Sequence, residues 1–401
     1  MTTPFKAIEI TDDIYWVGAI DWNLRRFHGY DINRGTTYNA FLIKDKKNVL
    51  IDMVRAPFKD ELFSRIRSVI EPEKIDLIVS NHAEMDHSGA LPDTIDLIQP
   101  EKVLASAKGV EALKAHYNID QPLEAVKDGS EIDIGRSKLK FIETKMLHWP
   151  DSMVTFVPDK GVLFSQDAFG LHLATSERFD DELPESILEY EAAHYYANIL
   201  LPYSKLIPKL AEKLSELDIK IFATDHGPVW RSRLEWIVDL YKKWAAQKPT
   251  MKAVIVYDTM WESTALMSRA LADGLREGSA SVKLMSLAAH TRSDIATELL
   301  DAGAILIGSP TINGEMYPTL GEILTYMKGL KFQHLIGDAF GSYGWVPNKT
   351  VREIRDKLSE MKIELVSENG VSCHYVPTDD ILMHCRELGI ATAKMLKEKS
   401  K

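Results

Sequence analysis

The chain has 401 residues, 45% of them hydrophobic and 27% charged, with a formal net charge of −11. That length predicts two domains, with enough apolar content to fill two cores. The negative balance excludes nucleic acid, whose binding needs lysine and arginine to neutralise phosphates. No apolar run approaches the roughly 18 residues of a membrane span, and the opening MTTPFKAIEITDD lacks the basic and apolar regions of a secretory signal. The two cysteines, Cys373 and Cys385, match neither a zinc-like nor a C-x-x-C spacing. They read as ordinary thiols in a reducing cytoplasm.

In chain order, IYWVG, YNAFLI and NVLIDMV predict an antiparallel strand layer. Helical patterns then alternate with strands: FKDELFSRIRSVI, the strand KIDLIVSN, ALPDTIDLIQ, KVLASA and GVEALKAHY. Strands return from 124 to 168, separated by turn signals at DGS, DIG and DKG. This order suits an αββα arrangement, two sheets covered by helices on both sides. A helical stretch from about 183 to 216, interrupted near Pro202, and a second over RSRLEWIVDLYKKWAAQ lead to AQKPT (246–250), read as a linker. The predicted domains are therefore 1–249 and 250–401. From Met251 the pattern is βα alternation, with strands KAVIVY, SVKLMSL, GAILIGS, QHLIGDAF and a fifth near KIELVS. Five such strands predict a doubly wound parallel sheet, with a flavin at the ends of strands one, three and four.

Residues 81–89 read NHAEMDHSG. His82, Glu84, Asp86 and His87 lie within six positions, directly after a buried-strand pattern. A lone histidine is usually a surface or satisfied core residue. Two histidines and two carboxylates so placed fit a metal loop better, because buried carboxylates are costly without a compensating cation. His148 in LHWPD, Asp167 in SQDAFG and His226 in ATDHGP also follow strand-like runs. Four imidazoles and three carboxylates are enough for two metals.

In the second half, DTMWEST brings Thr259, Met260, Trp261, Glu262, Ser263 and Thr264 to a helix start after the first strand. Hydroxyls and backbone N–H groups there would hold a phosphate, although Ser or Thr at a helix start is also an ordinary cap. Pro310, Thr311, Ile312, Asn313 and Gly314 follow strand three, and Ser342, Tyr343, Gly344 and Trp345 follow strand four. Three loops rich in small polar and aromatic residues at these strand ends predict FMN, with Tyr343 and Trp345 flanking the ring. No G-x-G-x-x-G supports FAD.

The pattern H-x-E-x-D-H, then His, Asp and His, resembles the metallo-β-lactamase fold. More narrowly it resembles the flavodiiron proteins, together with GAIDWNLRRFHGY, GTTYNA, LHWPDSM, YYANI and a flavodoxin-like second half. Glu84 stands where the zinc hydrolases of that fold have histidine, and a harder carboxylate favours iron. The resemblance implies a non-haem diiron site: iron one on His82, Glu84 and His148, iron two on Asp86, His87 and His226, with Asp167 bridging. It also implies His28 and Tyr196 in the distal pocket, and reduction of dioxygen to water or nitric oxide to nitrous oxide. Electrons would pass through FMN from an external donor such as rubredoxin, in a head-to-tail homodimer or a dimer of dimers. The alternatives are a deazaflavin-dependent oxidase of the same family and a dinuclear zinc hydrolase.

Overall fold

The computed structural model describes residues 4–119 and 123–400; the first three residues of the segment read for targeting lie outside them. Packing divides the chain into two compact units, Met1–Tyr195 with Lys205–Lys242 and Tyr196–Ser204 with Lys243–Lys401. The division runs through the helix Leu234–Ala246, where the sequence alone offered the linker at 249/250. Side-chain contacts account for the second unit's hold on 196–204. Tyr196 packs its ring 5.3 Å from that of Trp244, and Tyr326 donates a 2.7 Å hydrogen bond to Asn198.

The first unit is a sandwich of two sheets. One orders its strands Ile8–Thr11, Ile14–Trp16, Phe41–Ile43, Asn48–Ile51, Ile75–Ser80, Lys102–Ala105 and Leu123–Ala125. The first four are antiparallel, and pairing turns parallel from Asn48–Ile51 onward. The other runs Glu131–Asp133, Lys138–Glu143, Met153–Val157, Val162–Gln166 and Ile221–Thr224. Alternation along the strands sorts the side chains. Phe41, Ile43, Val49, Ile51, Leu77 and Val79 enter the core shared with Phe141, Met153 and Phe164 of the other sheet. Their neighbours Leu42, Leu50 and Ile78 face a second core with the helices Lys59–Arg67 and Leu91–Ile98. A period of two does this because successive residues of a strand point to opposite faces. The helical stretch predicted over 183–216 is Glu185–Tyr195, a five-residue π turn, a 3₁₀ segment containing Pro202, and Ile207–Ser215.

The second unit is a parallel sheet in the order Ser281–Ser286, Lys252–Tyr257, Ala304–Ile312, Ile336–Tyr343 and Glu364–Leu365. The predicted fifth strand is split: SENG interrupts it, and Val371–His374 resumes pairing with Ile336–Tyr343. On one face the helices Ser263–Glu277 and Asp379–Lys399 cross at two glycines. A Cβ on Gly274 would lie 1.9 Å from the Arg386 carbonyl, and one on Gly389 2.3 Å from that of Leu271. Gly274→Ala is therefore expected to destabilise this unit by about 1–3 kcal/mol, the usual cost of overpacking, read as a lower midpoint in denaturant.

Both cysteines are buried in this unit. Burial pushes the Cys373 thiol up to about 11, and burial with Cys373 nearby pushes Cys385 up to about 12. Thiolate is the reactive form, and these shifts leave almost none at neutral pH. A thiol reagent should therefore leave the folded chain unmodified at neutral pH and titrate two thiols after denaturation. Rapid reaction of the folded chain would contradict the assignment.

Candidate metal centre and flavin site

Four loops at strand ends carry the seven predicted ligands. Ile75–Ser80 leads to His82, Lys138–Glu143 to His148, Val162–Gln166 directly to Asp167, and Ile221–Thr224 to His226. After Ser80 the chain is pinned to Asp52, which accepts from the Asn81 backbone N–H at 2.6 Å and its side-chain amide at 2.7 Å. A single helical turn, Met85–Ser88, follows. It supplies the kink that consecutive residues need to converge, bringing Asp86 Oδ2 within 3.3 Å of His87 Nε2.

The predicted ligands fall into two groups that could each hold a metal ion, His82, Glu84, His148 and Asp167 in one and Asp86, His87 and His226 in the other. Asp167 joins them. Its Oδ2 lies 3.4 Å from His82 Nε2 and 3.2 Å from His148 Nε2, while Oδ1 lies 3.2 Å from His87 Nε2 and 3.6 Å from His226 Nε2. Glu84 Oε2 stands 3.1 Å from His82 and 3.3 Å from His148. Asp86 Oδ2 is 3.1 Å from His226.

Partners behind the rings hold Nε2 inward. Asp151 is 3.0 Å from His82 Nδ1, and the Thr37 carbonyl accepts from His226 Nδ1 at 2.6 Å, whereas Asp225 lies 3.3 Å from His87 Nδ1 without a hydrogen bond to it. Such outer contacts fix the tautomer of a metal-bound imidazole. Asp151 and Asp225 lie within motifs that the sequence already marks, HWPD and ATDH, close in the chain to the candidate ligands His148 and His226.

Burial alone would neutralise these groups, yet the cluster resists it. Against burial, Asp151 and Glu84 hold His82 well above the ordinary imidazole range, and Asp86 and Asp167 do the same for His87. Burial would raise Asp167, but His87 and His148 hold it well below the carboxylate range. The cluster therefore calls for positive charge at its centre, from protons on the imidazoles or from cations that replace them. Both Asp86 oxygens, Asp167 Oδ2 and His87 Nε2 are buried and accept or donate no hydrogen bond. Buried polar atoms are rarely left so, and oxygen and imidazole donors together fit iron.

His28 reaches the same cluster, with Nε2 against Glu84 Oε1 and its side chain 50% exposed, at the mouth of the site. Tyr196 does not supply the expected distal-pocket hydroxyl. That hydroxyl pairs with Ser204 at 2.9 Å in the second unit. Its neighbour Tyr195 donates to Asp167 Oδ1 at 2.7 Å instead. The correction is one of helical phase, since the α-helix ends at Tyr195 and the π turn begins at Tyr196. Burial, reinforced by Asp167, pushes the Tyr195 phenol well above its usual range, so it stays a donor. Trp149 packs edge-on to His82 at 5.2 Å.

The second unit holds a cavity of about 380 Å³ lined from all three predicted loops, by Thr259, Met260, Trp261, Ser263, Pro310–Asn313 and Ser342–Trp345. Tyr375 and Val376 complete it. They follow the last strand segment, and extending the strand-end rule to strand five would have found them. Glu262, Thr264 and Gly314 do not line the cavity. Glu262 is exposed with φ +64° and makes no side-chain cap, which leaves the N–H groups of the following helix start uncapped. Thr259 Oγ1 and Thr264 Oγ1 are buried without hydrogen-bond partners. The lining carries no charged side chain, so a phosphate would be held by hydroxyls and helix N–H groups. These residues fit FMN.

Glu84→His removes a carboxylate from the first group and softens it. The expected result is a chain folded by circular dichroism that retains zinc in place of iron; unchanged iron content would show that Glu84 is not a ligand.

The chain matches the ODP family beta lactamase over residues 36–227 and the flavodoxin family over residues 255–389. A nitric oxide reductase from Moorella thermoacetica is 45% identical, over 96% of this chain and 97% of that protein. The structure of rubredoxin oxygen:oxidoreductase from the anaerobe Desulfovibrio gigas superposes with a TM-score of 0.96 at 42% identity, covering 98% of this chain and 99% of that one. The flavodiiron protein from Giardia intestinalis gives 0.95 at 33% identity, covering 98% of each. With both halves matched and the likeness running nearly end to end, this chain belongs to the flavodiiron protein family.

Proposed function

We propose that the chain is an oxidoreductase that reduces dioxygen to water, nitric oxide to nitrous oxide, or both. The site is a non-haem diiron centre held by His82, Glu84 and His148 on one side and Asp86, His87 and His226 on the other, with Asp167 between them. One observation carries the reading: the two oxygens of Asp167 face different ligand groups. When bound, the irons supply the site of gas reduction and FMN supplies paired electrons. Taking dioxygen to two waters consumes four electrons and four protons, and joining two nitric oxides into nitrous oxide and water consumes two of each.

The chain's own residues do the rest. Asp151 and Thr37 aim the ring nitrogens of His82 and His226, and Tyr195 steadies the central carboxylate. His28, half-exposed beside Glu84, can hydrogen-bond an entering gas. In the second unit Thr259, Ser263 and the N–H groups of the helix start would hold the phosphate, and Tyr343 and Trp345 would flank the flavin ring. A dinuclear zinc hydrolase would need neither Glu84 nor this cavity.

The domain limits we propose are 1–249 for the diiron part and 250–401 for the FMN part. The likeness to a rubredoxin oxygen:oxidoreductase supports rubredoxin as electron donor. Trp261 and Trp345, 85% and 80% exposed on the cavity rim, support a head-to-tail homodimer in which a second copy covers the flavin. We place the protein in the cytoplasm; no helix among the described residues is long and apolar enough to cross a membrane. The purified chain is expected to carry two irons, one for each ligand group, and one FMN. Pre-reduced under anaerobic conditions, it should consume dioxygen or nitric oxide. A colourless protein with stoichiometric zinc and no gas consumption would overturn the reading.

A further inference from the structure

His172, five positions after Asp167, belongs to neither ligand group. Its side chain is 1% exposed, and its ring centre lies 4.6 Å from that of His226. Both of its nitrogens are engaged. Nε2 is 2.5 Å from the Tyr30 hydroxyl, and Nδ1 is 2.8 Å from Thr36 Oγ1. Thr36 Oγ1 is in turn 3.1 Å from the Thr37 carbonyl oxygen and 3.2 Å from His226 Nδ1. That same carbonyl is the 2.6 Å acceptor for His226 Nδ1.

The proton positions follow from what each group can do. A carbonyl only accepts, so His226 Nδ1–H and the Thr36 hydroxyl both donate to Thr37. With its single hydrogen committed, Thr36 Oγ1 accepts from His172 Nδ1–H. With Nδ1 carrying the ring hydrogen, the other imidazole nitrogen, Nε2, is the acceptor. Nε2 then accepts from the Tyr30 hydroxyl. All these donors and acceptors are satisfied in one arrangement, and that arrangement leaves the lone pair of His226 on Nε2.

We infer that Tyr30, His172 and Thr36 are positioning residues for His226, locking its ring plane and tautomer toward the metal on its side. His82 rests on the Asp151 carboxylate, whereas the direct support of His226 is a backbone carbonyl. A carbonyl is only as fixed as its strand, and the chain of bonds from Thr36 through His172 to Tyr30 fixes this one. The four residues come from four segments: the hairpin of Arg26–Phe27 with Tyr30–Asp31, the strand Thr36–Tyr38, and the loops holding His172 and His226. The hairpin turn also carries His28, so the anchor at Tyr30 holds the wall of the site beside Glu84.

The inference rests on the two-metal reading. Chelator competition on the full chain loaded with Fe²⁺ tests it, comparing wild type with Tyr30→Phe and Thr36→Val, each of which removes one hydroxyl. One of the two ions is expected to be held about ten-fold less tightly, the low end of the loss when an outer partner of a ligand is removed. The other ion should be unchanged, and Thr36→Ser, which keeps the hydroxyl, should restore wild-type retention. Equal weakening of both ions, or no change in either, would overturn the inference. A wild-type chain that holds fewer than two ions would instead defeat the two-metal reading.

Discussion

Three carboxylates, Glu84, Asp86 and Asp167, lie buried among four imidazoles, and the positive charge they require governs the design of the first unit. Several kcal/mol oppose each buried ion that lacks a partner. The fold therefore has to deliver the compensating groups from four loops to one point. A two-sheet sandwich can do so because its strand ends share a rim and its core keeps them rigid. The delivery is strained. Gln166, immediately before Asp167, has φ +48°, and Asp52, Phe169 and His28 also take left-handed backbone conformations. Non-glycine residues held there cost roughly 1–3 kcal/mol each, a cost the surrounding hydrogen bonds and core offset.

The flavin unit answers the opposite demand. Its cavity has no charged lining, so the groups that fit a phosphate are neutral dipoles: the buried, unpartnered hydroxyl of Thr259 and a helix start without a side-chain cap. The two units thus divide the work electrostatically, one concentrating charge around ions and the other keeping it away from a redox-active ring.

Much of this was legible in the sequence for a physical reason. The candidate metal ligands cluster in the chain because one loop carries four of them, and the apolar strands before each loop announce themselves by periodicity. The parallel sheet was equally plain, since βα alternation leaves few alternatives. What escaped depends on packing between distant segments. Tyr195 and Tyr196 are indistinguishable until the α-to-π transition sets their phase. Asp151, Asp225 and His172 act through residues far away in the chain. Tyr375 and Val376 were hidden by the interruption of the fifth strand. The limits of the packed units could not be read from the linker, because Tyr196 and Trp244 meet across the chain order.

The central claim is that Asp167 sits between two metal ions. Anomalous X-ray diffraction across the iron absorption edge tests it most directly. The account predicts two iron peaks, one beside His82, Glu84 and His148 and the other beside Asp86, His87 and His226, with the Asp167 carboxylate between them. A single peak, or peaks that appear only at the zinc edge, would contradict it.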